Sequence, residues 1–429
     1  MNQTSETTFS EAVNPWKQRS SLPKPASGSV TMAAVMFAVA SAAIPFSLIH
    51  ETVAIVVWGL LIAGGFFFTR QSRALTGLMI AASLLGAILP GVILPVNTLY
   101  YPAIGAIVAA MCVGVCTGTY FQTVTDRFWV LPILSALGAV AAYFVTEQWL
   151  IAVMGLALLP AVMALSVATR MGEGCTSAIC YCIGGFLISA VALIGLWIWT
   201  ACGSLNAGLL RELLAEWKES FVQSQIAARG ELIALIDERM ASGEEMTEEL
   251  AANYEALKSS FLSLMSDNVI RRSMDALFNM LPAVLFLACS IPAYLGQRLL
   301  NSSYVTNGMS AVVTPESEFF TMSLPSAVLY AVSLFVSVLA IDGIGFVSMV
   351  ADNLCLILLP GMLLLGMRYF KQQFGVGRAG SRRWITVLLI VMLCCATSGM
   401  LYLGAFFGAY MRIMQAIRKA IQKKMNQNR

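Results

Sequence analysis

Long apolar runs alternate with short polar turns along this chain, at roughly 31–49, 52–69, 74–94, 99–122, 128–146, 149–169, 177–200, 276–297, 325–343, 345–367 and 385–411. No Lys or Arg interrupts any of them. Each run is close to the ~20 residues that cross a hydrocarbon layer ~30 Å thick. A segment in lipid has to satisfy its own backbone, so each run is predicted to be a helix. The pattern breaks once. Between 205 and 275 the apolar positions thin to Leu210, Leu214, Trp217 and Phe221, then Leu250, Tyr254, Leu257, Phe261 and Leu264. The second set recurs at spacings of four and three, a heptad seam. Gly243 lies between the two sets, and Ser242 with Glu245 fits a capping box for a second helix. An antiparallel pair of helices is predicted there. The fold class expected is all-α: a polytopic transmembrane helical bundle of about 10–12 spans with a charged helical hairpin insert.

This pattern divides the chain into a polar tail (1–29), a six-helix membrane bundle (30–170), a connecting transmembrane helix (171–204), the amphipathic insert (205–275), C-terminal membrane helices (276–411) and a basic amphipathic tail (412–429). The first segment, with Pro23, Pro25 and many Ser and Thr, reads as a disordered cytosolic tail rather than a cleaved signal, whose apolar run would begin sooner.

Charge orients the bundle. Arg70, Arg73, Arg127 and Arg170 follow the second, fourth and sixth runs, and Lys17, Arg19 and Lys24 precede the first. The turns between, at His50–Glu51, Pro95–Asn97 and Glu147–Gln148, carry no Lys or Arg. The positive-inside bias therefore expects a cytoplasmic N-terminus in a cell membrane. The seventh run exits, leaving 205–275 outside, and Arg298 and the Arg368–Arg383 cations fall inside. Eleven spans would put the final tail outside, whereas Arg412, Arg418, Lys419, Lys423 and Lys424 favour the inside. With Ile413, Ile417 and Ile421 beside them, these cations suit a helix lying on an anionic leaflet. The tail is expected inside, with run 385–411 broken near Thr397–Gly399.

Composition narrows the chemistry. Hydrophobic residues make up 58% and charged ones 11%, which excludes a soluble globular enzyme. A net charge of +3, carried at helix ends, gives no footprint for nucleic acid. Ten cysteines lie in or beside apolar runs and read as small apolar residues; the single His50 excludes a multi-histidine metal site. Gly375, Gly377 and Gly380 form G-x-G-x-x-G, but in a basic loop between membrane helices rather than a βαβ unit. No cofactor and no catalytic residue is expected, and the protein reads as a non-enzyme. Three groupings remain. His50, Glu51, Asn97, Tyr100, Tyr101, Glu147 and Trp149 gather at the outer ends of the first six helices, where they could line a pocket or form an interface belt. Asp352 and Asn353 stand inside a span, where ionisable groups are costly and serve either a ligand or a helix–helix hydrogen bond. Ala34, Ala38 and Ala42 recur at spacing four in the first helix, which allows close approach by a helix of this chain or of a partner.

The order of parts resembles the YybS-like family of bacterial integral membrane proteins, a domain of unknown function. The resemblance covers about 27–424 and rests on the opening Ser27–Val39, the Ile44-Pro45 kink, six helices and the acidic insert. Met280-Leu281-Pro282, then Asn353 followed by Leu359-Pro360-Gly361, and the glycine-bearing run into Met411-Arg412 complete it. The acidic residues usual near Tyr410–Met414 are absent here. The first six helices are also similar to the substrate-binding subunits of energy-coupling-factor transporters. That likeness implies a small organic ligand bound from outside and a transmembrane coupling partner docked on Ala34, Ala38 and Ala42. The expectation is a transporter-like role, and the alternative is a structural or regulatory membrane protein acting through the 205–275 hairpin or by self-association.

Overall fold

The computed structural model describes residue 25 and residues 27–69, 73–93, 100–203, 207–241, 248–264, 266–313, 320–339, 345–374 and 398–427. Among them the chain is helical, with no strand. The helices are α1 (Ser27–Ser47), α2 (Glu51–Thr69), α3 (Arg73–Ile93), α4 (Tyr100–Thr125), α5 (Val130–Thr146), α6 (Trp149–Val153) and α7 (Leu158–Met171), the last two joined by a 3-10 turn at Met154–Ala157. There follow α8 (Cys175–Cys202), α9 (Ala207–Ala241), α10 (Glu248–Leu264), α11 (Asp267–Asn279), α12 (Leu281–Thr306), α13 (Leu324–Leu339), α14 (Gly345–Phe374) and α15 (Ser398–Gln427). Seven helical stretches are long and apolar enough to cross a membrane, and Leu75–Ala87, Val130–Thr146 and Leu324–Leu339 are shorter apolar helices. The chain is an all-α, multi-pass helical bundle.

α4 is the centre. Its apolar stretch is 78% buried, far more than any other span, because α1, α2, α3, α7 and α12 surround it. Lipid supplies no hydrophobic drive between helices, so close van der Waals packing has to hold them. Small residues make that packing possible. A Cβ on Gly118 would stand 2.7 Å from the Phe37 ring, and one on Gly185 of α8 2.5 Å from the Ala161 Cα of α7. Buried hydroxyls then tie the helices laterally. The Ser41 hydroxyl of α1 donates to the Gly155 carbonyl in the 3-10 turn and shares a hydrogen bond with the Ser135 hydroxyl of α5 at 3.0 Å.

The sequence groups α12 with the C-terminal helices. Its packing places it in the first core: Cys289, Ala293, Leu295, Leu299, Leu300 and Tyr304 share one apolar cluster with α1, α4, α7 and α8. Gly296 allows this, since its missing Cβ would lie 2.9 Å from Val115 of α4. α13, α14 and α15 build a separate core of Ala327, Tyr330, Met362, Leu365, Tyr369, Ala405 and Ala409.

α14 and α15 run in the same direction. They cross where a Cβ on Gly408 would meet the Met362 carbonyl at 2.1 Å, and seven residues further along both chains Tyr369 donates to Gln415 Oε1 at 2.6 Å. The basic stretch from Arg412 therefore lies at the same end as Arg368. Thr176 bonded to the Thr321 backbone (N–H···Oγ1 3.0 Å) and Thr306 bonded to the Thr69 carbonyl at 3.2 Å belong to that end as well. α15 continues unbroken through Arg418, Lys419, Lys423 and Lys424, with Ile417, Ile421 and Met425 exposed. The tail thus prolongs the axis of its apolar half.

At the opposite end α9, α10 and α11 follow one another, with the Trp217 ring of α9 4.9 Å from the Trp197 ring of α8. Phe221, Val222, Ile270, Met274 and Leu277 form a small core between α9 and α11. Ion pairs Lys218–Asp275, Arg229–Asp267 and Arg271–Glu219 flank it in antiparallel register, and Lys258–Asp237 ties α10 to α9. Of the heptad seam, Leu257 is 57% exposed and Tyr254 half-buried, while the side chains of Leu250, Phe261 and Leu264 lie outside the described residues.

Candidate functional site

The basic end of the C-terminal core holds a pocket of about 220 Å³ lined by Thr321, Met322, Leu365, Arg368, Tyr369, Arg412 and Gln415. Three elements build it. α14 contributes Leu365, Arg368 and Tyr369 from its last turns; α15 contributes Arg412 and Gln415; and the extended segment 320–323 closes one side. Backbone carbonyls aim the two arginines. The Nε–H of Arg412 donates to the Met322 carbonyl at 2.9 Å, and Arg368 Nη1 reaches the Phe320 carbonyl at 3.5 Å. Tyr369 is fixed in turn by Gln415. Among the described residues the lining holds two guanidinium groups, a phenol, an amide and a threonine. Glu316 and Glu318 lie outside the described residues. The apolar stretch of α14 ends at Tyr369, so the pocket sits where a span meets the headgroup region. A guanidinium fork matches the oxygens of phosphate or carboxylate and holds its charge at any physiological pH.

A second polar assembly lies at the same end of the first core. Thr123 shares a hydrogen bond with Tyr304 at 2.7 Å, and Tyr120 shares one with Ser29 at 3.1 Å. Ser166 of α7 donates to Gln122 Oε1 at 2.9 Å. Arg170 donates to the Gln122 carbonyl, pairs with Asp126 and stacks 4.8 Å above the Phe128 ring. These bonds clamp the C-terminal turn of α4 to α7 and α12. Arg170, read in sequence as an orienting charge, also caps a helix end, where a cation is favoured.

Asp352 and Asn353 separate onto two faces of α14. Asp352 accepts the hydroxyls of Ser337 from α13 and, at 3.5 Å, of Ser348. Asn353 faces the α11–α12 break, where its Oδ1 accepts the Ala283 N–H at 3.2 Å and its Nδ2 donates to the Asn279 carbonyl at 2.9 Å. Of the outer-end residues, His50 is exposed, with Nδ1 accepting the Thr52 N–H at 3.2 Å. Glu51 opens α2. Glu147 is exposed at a left-handed turn (φ 54°), and Trp149 beside it is exposed as well. Asn97 and the side chains of Tyr100 and Tyr101 lie outside the described residues. In the alanine row, Ala34 and Ala38 are half-buried and Ala42 meets Gly138 of α5, whose added Cβ would lie 3.4 Å from the Ala42 Cβ.

No protein-family model, no curated protein and no solved structure matches this chain. The chemistry of the site rests on its own residues. The Arg368–Arg412 pair was hidden in sequence because its members stand 44 positions apart. The signal available was that each closes an apolar run with an arginine.

Proposed function

We propose that this chain is a binding protein of the membrane rather than an enzyme, and that it holds an anionic ligand between Arg368 and Arg412 on the cytoplasmic side. The supporting observation is the pocket of about 220 Å³ with two guanidinium groups aimed by backbone carbonyls, level with the end of a span. Phosphate suits it best, because an arginine pair spreads bidentate hydrogen bonds over several oxygens. The exposed cations of α15, Arg418, Lys419, Lys423 and Lys424, raise the local concentration of anions at the same end.

The test uses the purified full chain in zwitterionic nanodiscs, with thermal unfolding as readout. One arm adds phosphatidic acid to the bilayer and the other adds inorganic phosphate to the buffer. Stabilisation in either arm that Arg368→Ala and Arg412→Ala each weaken about tenfold or more in apparent affinity supports the reading, since a charged hydrogen bond contributes ~1.5–3 kcal/mol. The first arm alone identifies a lipid headgroup, the second a soluble ligand. Equal stabilisation of both variants and the unmodified chain would remove the pocket from the account.

A second role is favoured by the hairpin surface. Leu232, Leu235 and Leu257 are exposed on α9 and α10, outside the apolar spans. Exposed apolar groups on a water-facing element mark protein contacts. Leu235→Ser with Leu257→Ser should leave the anion response intact while abolishing any self-association seen by sedimentation in detergent.

A further inference from the structure

Arg412 is not the last cation on its side of α15. A helix turns ~100° per residue, so Lys419 and Lys423, seven and eleven positions on, come round to within ~20° of the Arg412 azimuth. Gln415, the other α15 residue lining the pocket, lies ~60° to one side, with Lys419 between. α15 is one unbroken helix over this length. At ~1.5 Å per residue the two lysines stand ~10 Å and ~16 Å beyond Arg412, away from the apolar half of the helix. Both are exposed. Their Cα–Cβ bonds tilt toward the helix N-terminus, that is, back toward the pocket. A row of cations therefore leads outward from the Arg368–Arg412 pair.

The row brings no counter-charge of its own. No Asp or Glu follows Asp352 in the sequence, so neither α15 nor the last turns of α14 supply one. Among the described residues neither Lys419 nor Lys423 forms an ion pair. Like charges four apart on a helix repel, and an anion lying along the row relieves that repulsion. A single phosphate between the arginines does not extend to positions ~10 Å and ~16 Å further out. A chain of phosphates does: one group takes the guanidinium forks and the next run out along the lysines, which bind phosphate as point charges. We propose that the ligand of this site carries two or more linked phosphates, one held between Arg368 and Arg412 and the rest along Lys419 and Lys423. This inference rests on the anion-binding reading of the pocket and adds the class of anion. Linked phosphates occur in soluble oligophosphates and in lipid diphosphate headgroups, and the row reads the same chemistry in both.

Apparent affinity is read from thermal unfolding of the full chain in zwitterionic nanodiscs at fixed ionic strength. One arm compares tripolyphosphate with orthophosphate in the buffer. The other compares farnesyl diphosphate with farnesyl monophosphate in the bilayer. The expected result is a preference of about tenfold or more for the linked phosphates in at least one arm, and that arm names the source. Lys419→Gln with Lys423→Gln should erase most of the preference while the response to the single phosphate persists. Arg418→Gln with Lys424→Gln removes the same charge from positions ~120° off the row and should keep the preference. Equal loss in both double variants would make the preference a matter of total charge and overturn the inference. So would the absence of any preference in the unmodified chain. Either result leaves the single-phosphate pocket standing, whereas no response to any phosphate in either arm would remove the pocket and the row together.

Discussion

Asn353 of α14 accepts the Ala283 backbone N–H of α12 at 3.2 Å, and through that bond the two membrane cores are joined. Ala283 is the third residue of α12, one of the first-turn donors that no helix can satisfy internally. The same side chain donates to the Asn279 carbonyl at the end of α11, so one amide holds both sides of the α11–α12 break. Replacing it with leucine leaves a buried donor unmet. Asn353→Leu should destabilise the folded chain by about 1–3 kcal/mol in detergent unfolding, as expected for a buried group left unsatisfied.

The α14–α15 crossing makes a prediction of opposite sign at two glycines. A Cβ at Gly408 would approach the Met362 carbonyl to 2.1 Å and the Gly366 nitrogen to 2.7 Å, all rigid backbone. Gly408→Ala should cost about 1–3 kcal/mol by overpacking. Gly184 of α8 has nothing within 4 Å of its Cβ position. Gly184→Ala should be neutral or stabilising by up to ~1 kcal/mol through helix propensity. Paired unfolding curves in one detergent decide both.

The hairpin carries the pH prediction. The Arg271 guanidinium binds Glu219 with two hydrogen bonds, at 2.8 and 3.0 Å, and holds that carboxyl down at about 2. A depressed carboxylate contributes stability that is complete above its unfolded value of ~4.3 and is lost as pH falls toward about 2. Docking of α11 on α9 should therefore not change between pH 5 and 8, then loosen between roughly 4 and 2. The pair is solvent-exposed, so salt should weaken it and its share of stability is small. Trp217 fluorescence, read against its 4.9 Å ring contact with Trp197, follows the change; Arg271→Gln should remove this acid step.

What the sequence made legible was local. Apolar runs without cations gave the spans, the spacing of Leu210, Leu214, Trp217 and Phe221 gave a helix at α9, and Arg412 with Lys423 placed the last helix at the cationic end. α12 was harder to place, because Gly296 packing on Val115 is a meeting of residues far apart in the chain. The same holds for the pocket. An arginine closing an apolar run reads as an orientation signal, and only the parallel pairing of α14 with α15 makes two of them neighbours. Asp352 and Asn353, adjacent in sequence, looked like one site; a helix turns ~100° per residue and sends them to different partners.

In the proposed orientation the charged hairpin and the basic tail lie at opposite ends of a membrane-crossing bundle, with the tail inside. Protease accessibility of two epitope tags in intact cells tests it most directly, one inserted at 243 and one appended after Arg429. The hairpin tag should be cleaved from outside and the tail tag protected until the membrane is opened. Cleavage of both tags from outside, or of neither, would contradict it.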